Sequence, residues 1–446
     1  MANTFVIRNK IKPFKKKISV SGDKSLSIRW VLFSSLADGV STAKNLLKSE
    51  DVIAALNAIK KLGIKVFFKK NLCYIHGNGI NGFKIKKRTI INARNSGTLG
   101  RLILGLLINT TETIKLIGDK SLSKRDFKRI TDPLTKFGAT FKLKKNSLPL
   151  KMLGLNNPKP ISYTENKGSA QCKSAIIFAG MKTKGKTYIK AKKSRNHTEL
   201  LCKYLDLPIK IKSKKNYDLI EISEVKSIRP LNYKIPSDIS SSAFFIALTA
   251  LTENSEITIQ DVNINPSRIG VITIFKRMGI KIIFQNQRFY KGEKIADIFV
   301  KSPKKLKSIN CPSYLNSGAI DEFLVIFLVA AKAKGISYFK NLGELNQKES
   351  PRLKWGAKIL NKMGVKTELT DKTIKIYGNP SLDLKNKKIL ISNFLKDHRV
   401  FMTSVIASLA FGGEWLIHDK DSINTSFPEF LEIIKDIKKW VTIAEK

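Results

Sequence analysis

Five short polar runs stand directly ahead of apolar, helix-like stretches, and each combines groups suited to holding an oxyanion. SGDKSLSIR places Ser21, Gly22, Asp23, Lys24 and Ser25 before such a stretch, with Arg29 in its first turns. Free backbone N–H groups at a helix start, a lysine and a hydroxyl form a receptor for phosphate or carboxylate. The GxxxxGK spacing of a P-loop is absent. The other runs are Asn95-Ser96-Gly97-Thr98 before Arg101, Ser169-Ala170-Gln171 before Lys173, Asn316-Ser317-Gly318 before Asp321-Glu322, and Lys396-Asp397-His398-Arg399. Ser, Asn and Asp are also ordinary helix caps, but five such junctions, each with charge attached, point to binding.

If the helix starts of each half share a direction, these junctions form two facing rims. A cleft between them gathers Lys24, Arg29, Arg125, Arg195, Lys348, Arg352 and Arg399. That is more positive charge than one carboxylate needs, and it implies substrates carrying both phosphate and carboxylate. Two acids sit among the cations: Asp321 at the beginning of an otherwise apolar helix, and Glu349 in QKESPR between Lys348 and Arg352. Either they balance neighbouring charge or, in a closed cleft, they move protons, with Lys24 and His398 as further proton carriers or electrostatic stabilisers. Of the four histidines only His398 occupies a junction; His76, His197 and His418 are expected in strands or loops, and no trio has metal-ligand spacing.

The elements that position these groups repeat. A turn, a short strand, a polar segment and a helix recur six times, most clearly from Gly39, Ser255 and Gly335 and more weakly from Glu112, Gly185 and Gly413. The starts lie roughly 70 to 80 residues apart, the scale of a βαβ-rich module rather than a small solenoid unit. Helices are expected to stop near Gly63, Gly138, Gly279 and Gly364, each followed by a strand such as IKVFF or IKIIF. Six more apolar helices, near Ser27, Leu99, Ala170, Ser241, Asp321 and His398, belong at the centres of the domains. A chain of 446 residues exceeds what one core supports, so two domains of three modules each follow. The seam is expected near Ala250, giving residues 21–250 as one domain and 1–20 plus 251–446 as the other, with a second crossing near Ser21.

Composition narrows the class. The formal charge is +47, from 82 Lys and Arg against 35 Asp and Glu. Its spread over nearly every module, without interleaved aromatics, argues for solvated faces or a field for small anions rather than a nucleic-acid groove. No run reaches the roughly 18 apolar residues of a membrane helix. Cys73, Cys172, Cys202 and Cys311 lie far apart with no CxxC pair, and the start lacks a secretory h-region, so a cytoplasmic protein is expected.

SGDKSLSIR, NSGTLGRL, SAQCKSAIIFAG, PSDISSSAFF, NPSR, DEFLVIFLVAAKAKG, KESPRL, DHRVFM and NTSFPEF, taken in order along the whole chain, closely resemble the 5-enolpyruvylshikimate-3-phosphate synthase family of enolpyruvyl transferases. The resemblance implies an α/β fold of two domains, each with three βαβαββ-type units around buried parallel helices, an inside-out α/β barrel with the active site in the interdomain cleft. It implies transfer of the enolpyruvyl group of phosphoenolpyruvate to the 5-hydroxyl of shikimate 3-phosphate, a step toward the aromatic amino acids, by an enzyme expected to be monomeric, to use no metal or organic cofactor and to bind neither nucleic acid nor membrane. Carried over by motif, Lys24, Ser25 and Arg29 look like ligands of the two substrates, with Lys24 touching each. Ser169, Ala170, Gln171, Ser194 and Arg195 surround shikimate 3-phosphate, and Lys348 reaches its ring side. Asn95 and Gly97 border the phosphoenolpyruvate pocket, clamped by Arg125, Arg352 and Arg399. Asp321 takes the proton of the 5-hydroxyl and Glu349 exchanges protons at the methylene carbon.

The chain departs from the family pattern at Ser21, Ile28, Asp126, Pro351 and Thr425. Pro351 stiffens the segment holding Glu349 and Arg352 and opens the alternative of a silent homologue. Thr425 removes a cation that Lys420 replaces in part. Two other readings are the related transferase acting on a UDP-linked amino sugar, which depends on a loop cysteine, and a basic nucleic-acid-binding protein.

Overall fold

The computed structural model describes residues 4–437 and the backbone of 443–445. The chain forms two compact units. The first comprises Gly22–Ile235 with Tyr290–Glu293; the second takes the residues up to Ser21, Pro236–Phe289 and the residues from Lys294 onward. The division after Ile235 lies upstream of the seam expected near Ala250. The reason is the Ile239–Leu251 helix: all thirteen of its residues are buried, and it belongs to the second core.

Each unit repeats one motif, seen most simply between Ser162 and Ser223. The strand Ser162–Glu165 leads into the helix Ala170–Met181, then into Lys186–Lys192, which pairs parallel with the first strand. A second helix, His197–Tyr204, and the strands Ile209–Ser213 and Tyr217–Ser223 complete a four-stranded sheet with antiparallel outer pairings. Lys186–Lys192 shows where the lysines go, since Lys186, Lys190 and Lys192 face water while Thr187, Ile189 and Ala191 face the core.

Among the described residues six sheets follow this plan, with strand exchange where the chain crosses between units. Lys15–Ile18 runs parallel to Glu256–Asn263 in the second unit, and Tyr233–Lys234 runs parallel to Asp38–Lys44 in the first. In the module built on Gly335–Phe339 the initial parallel strand shrinks to isolated bridges, among them Asn310 with Tyr338. Phe5–Arg8 closes the last sheet of the second unit between Glu414–Ile417 and Ile443–Glu445.

Two separate hydrophobic clusters fill the units. Each surrounds three helices: Lys24–Ser35, Gly97–Leu106 and Ala170–Met181 in the first, Ile239–Leu251, Phe323–Lys332 and His398–Phe411 in the second. Past their first turns these helices are buried on all sides, whereas Glu50–Lys61 buries one face, Asp51, Val52, Ala54, Ala55, Leu56, Ala58 and Ile59. Gly105 brings two central helices together: a Cβ there would meet the Ala175 carbonyl oxygen at 2.1 Å. Gly63, Gly138, Gly279 and Gly364 follow their helices at φ of +85°, +105°, +92° and +86°, the left-handed stop that the sequence pattern requires. No helix of the described residues is long and apolar enough to cross a membrane.

Candidate functional site

In the first unit, polar side chains tie the first turns of the three central helices together at one end. Arg29 Nη2 donates to Ser174 Oγ at 3.1 Å, Arg101 Nη1 to Gln171 Oε1 at 2.6 Å, and Gln171 Nε2 to Thr98 Oγ1 at 3.1 Å. Gathered helix starts concentrate the positive ends of their dipoles, an anion-favouring field. The caps are conventional: Asp23 accepts from the Leu26 N–H, Ser96 from Leu99 and Ser169 from Cys172. Each of these side-chain oxygens is therefore engaged in capping its helix.

Lys24 lies 3.0 Å from Asp51 at the start of Glu50–Lys61. Arg29 is almost fully enclosed and spends its donors on Thr198 Oγ1 at 2.7 Å, the Ser25 carbonyl at 3.1 Å and Ser174. Burial pulls its guanidinium down to about 10, and the carboxylates of Glu199 and Asp23 offset only part of that. Ser25 is thus held through its backbone by Arg29. Arg125 Nη2 donates to Asn95 Oδ1 at 3.0 Å. Gly97 sits between two guanidinium groups: a Cβ at this position would lie 3.0 Å from Arg101 Nη1 and 3.2 Å from Arg125 Nη1. Asn95, Gly97, Arg101, Arg125 and Gln171 therefore form one group, and Ser169 and Ala170 open the helix beside it. Ser194 and Arg195 precede the helix His197–Tyr204, and Ser194 Oγ is buried with no hydrogen bond to another described group.

The second unit builds a different cluster. Arg352 binds Asp397 through two bonds, Nε to Oδ2 at 2.9 Å and Nη2 to Oδ1 at 3.2 Å, and also donates to Glu349 Oε2. Its Nη1 lies 3.5 Å from Asp321 Oδ1, which Lys348 approaches to 3.3 Å. Burial alone would lower the Arg352 pKa, but Asp397, Glu349 and Asp321 together raise it above the usual guanidinium value. Arg399 Nη1 donates to the Asp321 carbonyl at 2.7 Å and lies 3.9 Å from Glu322 Oε1. His398 Nδ1 is 3.3 Å from Thr425 Oγ1. Ser240 donates to Glu322, so the starts of the three central helices are joined here too.

Several sequence expectations need correction. Asp321 lies ahead of the Phe323–Lys332 helix, whose N-cap is Glu322, and Asn316–Ala319 forms a short helix of its own. Pro351 occupies the N-cap of Arg352–Lys362, where its carbonyl accepts from the Trp355 N–H; its missing N–H breaks no helical bond. His197 opens a helix rather than lying in a strand or loop, and its Nδ1 is 2.6 Å from Glu293 Oε1. Asp51, the Lys173–Glu199 pair at 2.6 Å and the His197–Glu293 pair were not expected. Asp51 and Glu199 left the same local signal, an acid in the first turn of a helix. Cys73 is buried in the strand Leu72–Asn78, and burial pushes its thiol up to about 12, which removes the loop cysteine of the amino-sugar alternative.

Known proteins align with this arrangement. Residues 8–434 match the family described as EPSP synthase (3-phosphoshikimate 1-carboxyvinyltransferase). A 3-phosphoshikimate 1-carboxyvinyltransferase of Ruthia magnifica subsp. Calyptogena magnifica is 38% identical over 421 residues, 94% of each chain. An EPSP synthase structure from Acinetobacter baumannii superposes with a TM-score of 0.87 at 34% identity, covering 99% of this chain and 100% of that one. The enolpyruvyl transferase NikO of Streptomyces tendae, at 13% identity and a TM-score of 0.79 over 100% of this chain and 99% of that one, shares the fold. With its six βαβαββ modules and full-length likeness, the chain belongs to the EPSP synthase family.

Proposed function

We propose that the two polar clusters serve one reaction, transfer of the enolpyruvyl group of phosphoenolpyruvate to the 5-hydroxyl of shikimate 3-phosphate with release of phosphate. The reaction is that of the family, and the arrangement of cations and carboxylates supports it. The observation that carries the reading is Arg352, held by Asp397 and Glu349, within 3.5 Å of Asp321, with Lys348 and Arg399 adjoining. Two carboxylates beside fixed cations suit proton transfer on an anionic substrate.

In this reading a proton adds to C3 of phosphoenolpyruvate, C2 becomes oxocarbenium-like, and the 5-hydroxyl oxygen bonds to C2. Asp321 accepts the hydroxyl proton, while Glu349 exchanges protons at C3. Loss of a C3 proton from the tetrahedral adduct re-forms the double bond as the C2–O bond to phosphate breaks. Lys24, Arg125, Arg352 and Arg399 stabilise the phosphate and carboxylate charge, with Asn95 and Gly97 bordering them. Ser25, Arg29, Ser169, Ala170, Gln171, Ser194, Arg195 and Lys348 position shikimate 3-phosphate, and His398 tunes the field beside Arg399. Fixed donors that need no reorganisation during charge transfer are the main source of rate. The chain works as a monomer in a reducing cytoplasm, in keeping with four free, buried cysteines.

Phosphate release followed with purified protein tests this. Release is expected only when phosphoenolpyruvate and shikimate 3-phosphate are both present. Release with UDP-N-acetylglucosamine in place of shikimate 3-phosphate, or none with either acceptor, would overturn it.

A further inference from the structure

The helix His197–Tyr204 is anchored by three successive side chains at its start. His197 Nδ1 lies 2.6 Å from Glu293 Oε1, Thr198 Oγ1 accepts from Arg29 Nε at 2.7 Å, and Glu199 Oε1 lies 2.6 Å from Lys173 Nζ. Thr198 and Glu199 are thereby tied to the central helices Lys24–Ser35 and Ala170–Met181. His197 is tied elsewhere. Glu293 belongs to the Tyr290–Glu293 turn, which packs in the first unit although its strands, Lys281–Tyr290 and Glu293–Lys301, run in a sheet of the second.

The turn is seated closely. Gly292 has φ +86°, and a Cβ there would meet the Leu200 carbonyl oxygen at 2.7 Å. Tyr290 Oη accepts from the Lys234 N–H at 2.9 Å, its ring centroid lies 5.5 Å from that of Tyr233, and Lys291 Nζ donates to the Asn232 carbonyl. The side chains of His197 and Glu293 are both fully excluded from solvent. Leaving a buried partner unpaired is costly, so the contact holds the turn and the helix start in one arrangement. Ser194 and Arg195 lie just before the N-cap Asn196 of that helix, and Ser194 Oγ is buried with no hydrogen bond to another described group.

We infer that Glu293 is a positioning residue which, through His197, sets Ser194 and Arg195 to receive the phosphate of shikimate 3-phosphate; this rests on the functional reading above. The pair touches no substrate. It fixes where the helix begins, and hence where the preceding hydroxyl and guanidinium point. Its effect falls on affinity for the phosphorylated acceptor rather than on the chemical step.

Glu293→Gln removes the charge while keeping the volume, and Gly292→Ala pushes the turn away from Leu200 without changing any charge. Both are expected to raise KM for shikimate 3-phosphate about tenfold, with kcat and KM for phosphoenolpyruvate within about twofold. In the unaltered chain, shikimate 3-phosphate is expected to slow amide exchange in residues 194–199 and 291–293 together, a readout that does not require either variant to fold. An unchanged KM in both variants, an equal loss in every kinetic constant, or protection of 194–199 alone would overturn the inference and leave the functional reading standing. If the unaltered chain binds no shikimate 3-phosphate, the functional reading fails and the inference falls with it.

Discussion

Arg29 and Arg352 are both buried arginines at helix starts, yet their surroundings push them in opposite directions. Arg29 donates to hydroxyls and a carbonyl, and burial lowers its pKa to about 10. Arg352 faces three carboxylates that outweigh the same desolvation. The difference separates two designs. Around Arg29 the direct partners are neutral oxygens, while Lys24 and Lys173 in the same unit are each paired with one carboxylate, Asp51 and Glu199; around Arg352 three carboxylates, Asp321, Glu349 and Asp397, gather on a single cation.

Removing the compensated cation should have the largest effect. Arg352→Ala leaves three carboxylates around an empty position and is expected to cost about 3–5 kcal/mol in denaturant unfolding, with loss of activity. A loss below about 1 kcal/mol would mean the cluster is solvated rather than coupled.

Lys182 extends the comparison to a buried cation with no carboxylate partner. It caps the Ala170–Met181 helix, with Asn109 Oδ1 at 3.3 Å and the Phe83 ring at 4.8 Å, and burial lowers its pKa to about 7. Because the unfolded lysine keeps its proton to higher pH, stability should fall as pH drops from about 10 toward 7, the cost being complete below the folded value. Lys182→Met is expected to reduce the difference in unfolding free energy between pH 9 and pH 7 by roughly 2 kcal/mol. Identical pH profiles for the two proteins would contradict desolvation at this site.

Gly97→Ala tests the neutral-partner cluster. The added methyl presses on Arg101 and Arg125, so KM for phosphoenolpyruvate should rise about tenfold, roughly 1.4 kcal/mol, with KM for shikimate 3-phosphate little changed. Equal effects on both substrates would place this group elsewhere in the reaction. Pro351→Ala should have the smallest effect, under about 1 kcal/mol in stability and within twofold in kcat, because the N-cap position makes no use of the missing N–H. A large gain in activity would show that the proline restrains Glu349.

The fold was legible where local pattern governs. All-round apolar stretches marked the central helices, glycines marked helix ends, and polar runs marked the junctions that the structure ties together. What escaped depends on residues far apart in sequence. The Tyr290–Glu293 turn seats beside His197 across about ninety residues, a partnership with no periodicity or motif to announce it. The seam at Ile235 rather than near Ala250 is a packing choice of an apolar helix that either core could accommodate on composition alone. In the candidate site, the cations of the motifs were readable and so were two acids beside them, Asp321 and Glu349; the two hydrogen bonds from Arg352 to Asp397, 45 residues away, were not. Glu349, three residues from Arg352, is the one local sign of its acidic surroundings, whereas the hydroxyls of Thr198 and Ser174 reach Arg29 from distant positions.

The division between gripping and proton transfer is tested most directly by Glu349→Gln, with single-turnover rate and shikimate 3-phosphate affinity measured on the same preparation. The rate is expected to fall on the order of 10²–10⁴-fold while the dissociation constant stays within about threefold. A near-normal rate, or an affinity lost in proportion to the rate, would contradict proton transfer at this cluster.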